Sequence, residues 1–125
     1  MATVNRPGQK IARVLPSDRD KPEEEQTVLV IRVLEYEEWR SLAKGLRIIN
    51  ESTVLEQGRR ILGRALEEVR NLHIRNADGS LEEFHLEKAG GLLTEESASI
   101  LKPYIEEIIP LIDEAQTFDF TAAKN

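Results

Sequence analysis

Cysteine is absent from this chain of 125 residues, and aromatic side chains are scarce: one tryptophan, two tyrosines and three phenylalanines. Without cysteine there is no disulfide framework, no thiolate zinc site and no cysteine nucleophile. So few aromatics leave little material for a platform on which single-stranded bases could stack. No run of about 18 apolar residues occurs, so no segment reads as a membrane-spanning helix. The opening MATVNRPGQK lacks the apolar stretch of a secretory signal. An excess of positive charge is missing too. The 17 Lys and Arg against 23 Asp and Glu leave a net charge of −6. That field opposes the phosphate neutralisation on which nucleic-acid binding rests.

What is present suits one well-solvated domain. The composition is 40% hydrophobic and 32% charged, and a chain of this length can bury a real core. Residues 1–26 read as an extended N-terminal arm and loop. Within them IARVL (11–15) is a candidate short strand, and PSDRDKPEEEQ (16–26) is a loop with two prolines and nothing apolar to bury. Residues 27–114 read as the domain proper, and 115–125 as a C-terminal tail. TVLVIRVL (27–34) is β-branched and almost wholly apolar, the pattern of a strand buried on both faces. From Tyr36 the period changes. Tyr36, Trp39, Leu42, Ala43, Leu46 and Ile49 recur at three- and four-residue steps, predicting a helix over about 36–48. Thr53 and Glu56 have capping-box spacing and open a second predicted helix over about 54–70. Its stripe is Leu55, Gly58, Leu62, Ala65 and Val69, widened by Ile61 and Leu66. Its glycines, Gly58 and Gly63, would let another helix approach closely. Thr94, followed by Glu95 and Glu96, caps a short helix at 95–101. A last helix runs from 103 to about 114 with a kink expected near Pro110.

Both histidines fall in one stretch, NLHIRNADGSLEEFHLE (71–87). Leu72 and Ile74 alternate with His73 and Arg75, and Phe84 and Leu86 alternate with Glu83, His85 and Glu87. Matching the apolar faces pairs Ile74 with Phe84 and Leu72 with Leu86, around a loop of Asp78, Gly79 and Ser80. That register sets His73 against His85. Such a pair can hold a divalent metal with Glu83 or Glu87 as third ligand, although two polar positions on a wet face are ordinarily no more than that. It also predicts that acid weakens the hairpin through like charges set opposite each other. The expected fold is α+β: a small antiparallel sheet, built on strand 27–34 and hairpin 72–87, against about four helices.

Candidate interaction residues are few. Arg59, Arg60, Arg64 and Arg70 make the second helix partly basic, but Glu56, Glu67 and Glu68 are intermixed, as on an ordinary solvated face. Trp39 lies on the core stripe of the first helix and could also anchor an interface. Phe118 and Phe120 stand in a polar tail and either dock on this domain or engage a partner. The adjacent carboxylate pairs lack apolar context, and the serines lack a nucleophile elbow. The pair Gly90–Gly91 has neither the spacing nor the lysine of a phosphate loop. No enzyme signature emerges, and neither a catalytic residue, a cofactor nor a metal ligand is assigned.

Three segments in order, PEEEQTVLVIRVLEYEEW, RNADGSLEEF and GGLLTEESASIL, are similar to a layout found in small tail-gene proteins of bacteriophages. Some of these are known as tail assembly chaperones and others as minor virion proteins. The resemblance spans about residues 20–112. It departs from the family where Ile74 and Arg75 stand in place of the usual aromatic before the D-G turn. It implies a non-enzymatic protein that binds other phage structural or assembly proteins, with a homo-oligomer among the expected assemblies. The host cytoplasm during assembly, or the virion, would be its location. An alternative from another class is a small regulatory protein that contacts nucleic acid through the arginine face of helix 54–70.

Overall fold

The computed structural model describes residues 4–45 and 53–116. Strand β1 (Lys10–Val14) leads through two 3-10 turns to β2 (Val28–Arg32), then helices α1 (Tyr36–Ala43) and α2 (Val54–Ala65) and strand β3 (Leu66–Arg70). Two small hairpins follow, β4 (His73–Arg75) with β5 (Leu81–Glu83), and β6 (Lys88–Ala89) with β7 (Leu92–Leu93). Helix α3 (Glu95–Leu101), a 3-10 turn and α4 (Ile105–Gln116) are the last of the described elements. The fold is α+β, with antiparallel sheets and helices around one core.

The principal sheet differs from the expected one. Its order is β1-β2-β3, all antiparallel. The β4–β5 hairpin forms a separate two-stranded sheet. Part of the segment read as an arm is therefore strand: β1 is integral to the sheet, and Ile11 and Leu15 are buried. The second face of β2 is covered less completely than the first. Leu29 and Ile31 join the core cluster, whereas Val28 is half-buried and Arg32 exposed. Val30 is buried without joining that cluster, flanked by Ala12 on β1 and Glu68 on β3.

The expected helix over 54–70 stops at Ala65, and Leu66–Arg70 is the third strand of the sheet. The error has a definite cause. Leu66 and Val69 are both buried although three residues apart, which is helical spacing. In a regular strand they would point to opposite faces. A bulge resolves this: Ile31 pairs with Leu66 but Val30 pairs with Glu68, so Glu67 is an extra residue. The bulge returns both apolar side chains to the core.

The hairpin register also differs. His73 faces Glu83, Ile74 faces Glu82, and Leu72 accepts a bond from the Phe84 N–H at 2.7 Å. Relative to the expected pairing, one strand has moved by two residues. A two-residue shift leaves every side chain on its original face, so apolar alternation cannot detect it. The turn decides it. Gly79 N–H donates to Asn76 O, Asn76 N–H donates to Ser80 O, and Gly79 has φ +87°. The loop is thus Ala77-Asp78-Gly79, with glycine at the last position, where a three-residue hairpin needs left-handed backbone. His73 and His85 are not opposite one another. His73 faces Glu83 instead, so the expected acid weakening through two facing histidines has no geometric basis in this hairpin.

Polar groups pin the elements together. The 16–26 segment, which looked free of anything to bury, buries Asp18. Its carboxylate accepts from Thr27 N at 2.9 Å and pairs with Lys21 Nζ at 2.8 Å. Asn71, at φ +63°, donates from its side chain to Glu24 O and Gln26 O, tying the same loop to the end of β3. At the other end of β2, Gln116 accepts from Leu34 N and donates to Arg32 O, both at 2.7 Å. Helix α4 therefore runs to Gln116, where the sequence placed the end of the last helix at about 114. Thr94 caps α3 as expected, accepting from Ser97 N at 3.2 Å. Thr53 precedes α2 but its side chain makes no capping bond to that helix. On α1, Trp39 and Leu42 are buried and Tyr36 is 45% exposed; Leu46 and Ile49 lie outside the described residues. Helix α4 runs through Pro110, which occupies an exposed position.

Candidate functional site

Helix α2 buries Ile61, Leu62 and Ala65, and this face fixes where its arginines go. Its glycines make room for neighbours. Gly58 faces Ile105 of α4, whose Cδ1 would stand 3.1 Å from an added Cβ. Gly63 meets the β6–β7 turn rather than a helix. A Cβ there would lie 2.8 Å from Leu92 Cα and closer still to Gly91 O. That turn is Gly90-Gly91, with φ +62° and +79°, the two positive angles of a two-residue hairpin loop. An open groove of about 370 Å³ results. Glu38, Ser41 and Leu42 of α1 form one wall, Arg60 and Arg64 of α2 another, and Gly90, Gly91 and Leu92 the third.

The arginines expected to form one basic face are divided by this packing. Arg59 turns away from the groove. Its Nε donates to Leu93 O at 2.9 Å and its Nη1 stands 3.9 Å from Glu95 Oε1. Arg64 grips Glu38 Oε1 through Nε and Nη2, each at 2.6 Å. That bond raises the Arg64 pKa and fixes its charge in place. Arg70 is on β3, not on the helix, with its Nε 3.2 Å from Glu68 Oε1. Arg60 is exposed and makes no ion pair or hydrogen bond among the described residues. Lys88 lies near Arg32 and Arg64. Loss of water lowers its pKa, Glu67 opposes that and the two arginines add to it, although the residue as a whole remains exposed.

The groove therefore offers the Arg60 guanidinium, unpaired among the described residues, a hydroxyl at Ser41, and Leu92, which is 36% exposed. A guanidinium fork suits a carboxylate or another planar anion, and Leu92 and Leu42 beside it suit an apolar neighbour. No protein-family model, curated protein or solved structure matches this chain. What the groove does must be argued from its own chemistry.

The other candidates are scattered. Trp39 is 7% exposed and belongs to the core cluster, so it supports α1 from within. Phe118 and Phe120 lie outside the described residues. His85 lines a separate small groove with Glu82, Glu83, Glu87 and Glu96, and His73 is not among its lining residues. Among the described residues no group of three or more His, Asp or Glu is placed to hold a metal ion. No helix of the described residues is long and apolar enough to cross a membrane. The sequence reading missed Glu38, Ser41, Leu42 and Leu92 as groove residues. One signal was available: a Gly-Gly pair between short apolar stretches marks a two-residue hairpin, and its turn forms the third wall.

Proposed function

We propose that this chain is a non-enzymatic interaction protein of a bacteriophage, acting in tail assembly or as a minor virion component. The resemblance of RNADGSLEEF and GGLLTEESASIL to phage tail-gene proteins supplies the setting. The observation that carries the binding role is the α1–α2 groove, where the exposed Arg60 guanidinium, unpaired among the described residues, lines the same groove as exposed Leu92. A polar, charged anchor next to an apolar one is the usual make-up of a protein-binding spot. The nucleic-acid alternative loses support, because Arg59, Arg64 and Arg70 are each engaged with groups of this chain.

The test is light scattering on sized fractions of the chain mixed with the products of neighbouring genes. A stable complex that Arg60→Glu and Leu92→Asp each weaken supports the reading. A chain that binds none of those products, but binds DNA with a steep salt dependence, replaces it with the regulatory alternative.

A further inference from the structure

Strands β1 and β5 each have a side with no further strand among the described residues, and they carry opposite charge. On β1, Leu15 N–H donates to Thr27 O and Gln9 O accepts from Val33 N. Odd-numbered residues therefore bond inward to β2, and antiparallel alternation turns the N–H and C=O of Lys10, Ala12 and Val14 outward. On β5, Asn76 bonds to Ser80 and Phe84 to Leu72. The same alternation turns the backbone groups of Leu81 and Glu83 away from β4. Neither edge has a further strand among the described residues.

The side chains along these edges complement each other. Strand β1 carries Lys10 and Arg13 and no carboxylate. Lys10 makes no ion pair among the described residues, and the one recorded bond of Arg13 goes to Ala12 O. Strand β5 carries Glu82 and Glu83, likewise without ion pairs among the described residues, and Glu87 and Glu96 line the same small groove. Leu81, 60% exposed, is the most exposed large apolar side chain of the described residues. By contrast the acidic residues of β3, the other edge of the main sheet, are already held, Glu67 by Arg32 and Glu68 by Arg70. Pairing β1 with a second β1 would gather four cations with no counter-charge, which is how charged edges discourage like pairing.

We propose that copies of this chain associate head to tail, β5 of one copy adding as a strand to the β1 edge of the next. Two antiparallel registers satisfy the outward groups. With Ala12 opposite Leu81, Lys10 faces Glu83. With Ala12 opposite Glu83, Arg13 faces Glu82 and Val14 faces Leu81. Either register pairs backbone with backbone, sets opposite charges across the seam and covers Leu81. The contact is heterologous, so it builds rings or open filaments rather than a closed two-fold dimer. Few residues take part, so the association is weak and depends on concentration.

Sedimentation or light scattering over a concentration series, at low and high salt, tests this on the full chain. The average mass is expected to rise above that of the 14.2 kDa chain, more so at low salt. The double variants K10E/R13E and E82K/E83K should each weaken self-association by about tenfold or more. Mixing the two restores complementary edges and should restore association, which also shows that both variants fold. R60E should leave self-association unchanged, separating this seam from the groove. A wild-type chain that stays monomeric to its solubility limit overturns the proposal. So does undiminished association in either double variant, failure of the mixture to associate, or loss of self-association in R60E.

Discussion

The three-stranded sheet and the β4–β5 hairpin are both antiparallel, yet they are held in different ways. In the sheet, β2 has a partner on each side and its Leu29 and Ile31 are almost fully buried. Its two ends are pinned by side chains remote in sequence, Asp18 and Asn71 near one end and Gln116 at the other. The hairpin has only its own two strands, and every residue of β5 is exposed. An isolated hairpin of this size is marginal in water. It persists because Ile74 and Leu72 pack against the core and Phe84, just past β5, is 1% exposed. Apolar patterning thus marks where strands form, while depth of anchoring decides how firmly they stay.

The sharpest way to probe that contrast is to cut the hairpin at its root and at its tip. Phe84→Ala should cost about 3–5 kcal/mol of unfolding free energy, read by urea titration. Leu81→Ala at the tip should change it by no more than about 0.5 kcal/mol. Equal effects would mean that the tip is as well packed as the root.

Next in size is the clasp at Asp18. Asp18→Ala leaves the buried Thr27 N–H without its acceptor and should cost about 1–3 kcal/mol. The same group makes stability depend on acid. Burial raises the Asp18 pKa, but bonds from Lys21 and Thr27 outweigh burial and hold it below the ordinary value. A depressed folded pKa gives stability that is present above the unfolded value of about 4. That stability is lost as pH falls through the folded value. The wild-type chain should therefore lose more stability than Asp18→Ala between pH 5 and the acid limit, roughly pH 2. Parallel pH profiles for the two would place the acid sensitivity elsewhere.

At the groove wall, Gly63→Ala places a methyl against the backbone of Gly91 and Leu92. Overpacking against backbone should cost about 1–3 kcal/mol, and the β6–β7 amides should exchange faster. The smallest effect belongs to the turn. Gly79→Ala, at φ +87° with open space around it, should cost roughly 1 kcal/mol through backbone strain alone. Faster hydrogen exchange should be confined to β4 and β5, leaving the β2 amides unchanged.

The sequence was most legible where a local rule was sufficient. Thr94 before two glutamates located α3 at Glu95–Leu101, and the apolar run at 27–34 located the central strand, Val28–Arg32. It was least legible where two rules gave the same pattern. Leu66 and Val69 have helical spacing because a bulge imitates it, and a two-residue slip in the hairpin preserves every facing. Gln116 gave no signal at all, since its partners lie more than 80 residues away. The groove followed the same division. Arg60 and Arg64 were visible as residues, but their separation from Arg59 and Arg70 depends on Glu38, Leu93 and Glu68, which only the fold brings near.

Gln116 has a consequence for the order of events in folding. By accepting from Leu34 N and donating to Arg32 O, its side-chain amide acts as a single rung of a missing strand, just past the end of β2. Asn5 reaches the same helix, donating to Ala115 O at 3.1 Å. Both closures join early residues to late ones, and such distant pairings are slow to form. The most apolar strand of the chain therefore waits, during synthesis, for a residue made more than eighty positions later. During that wait its end is an exposed template for unwanted partners.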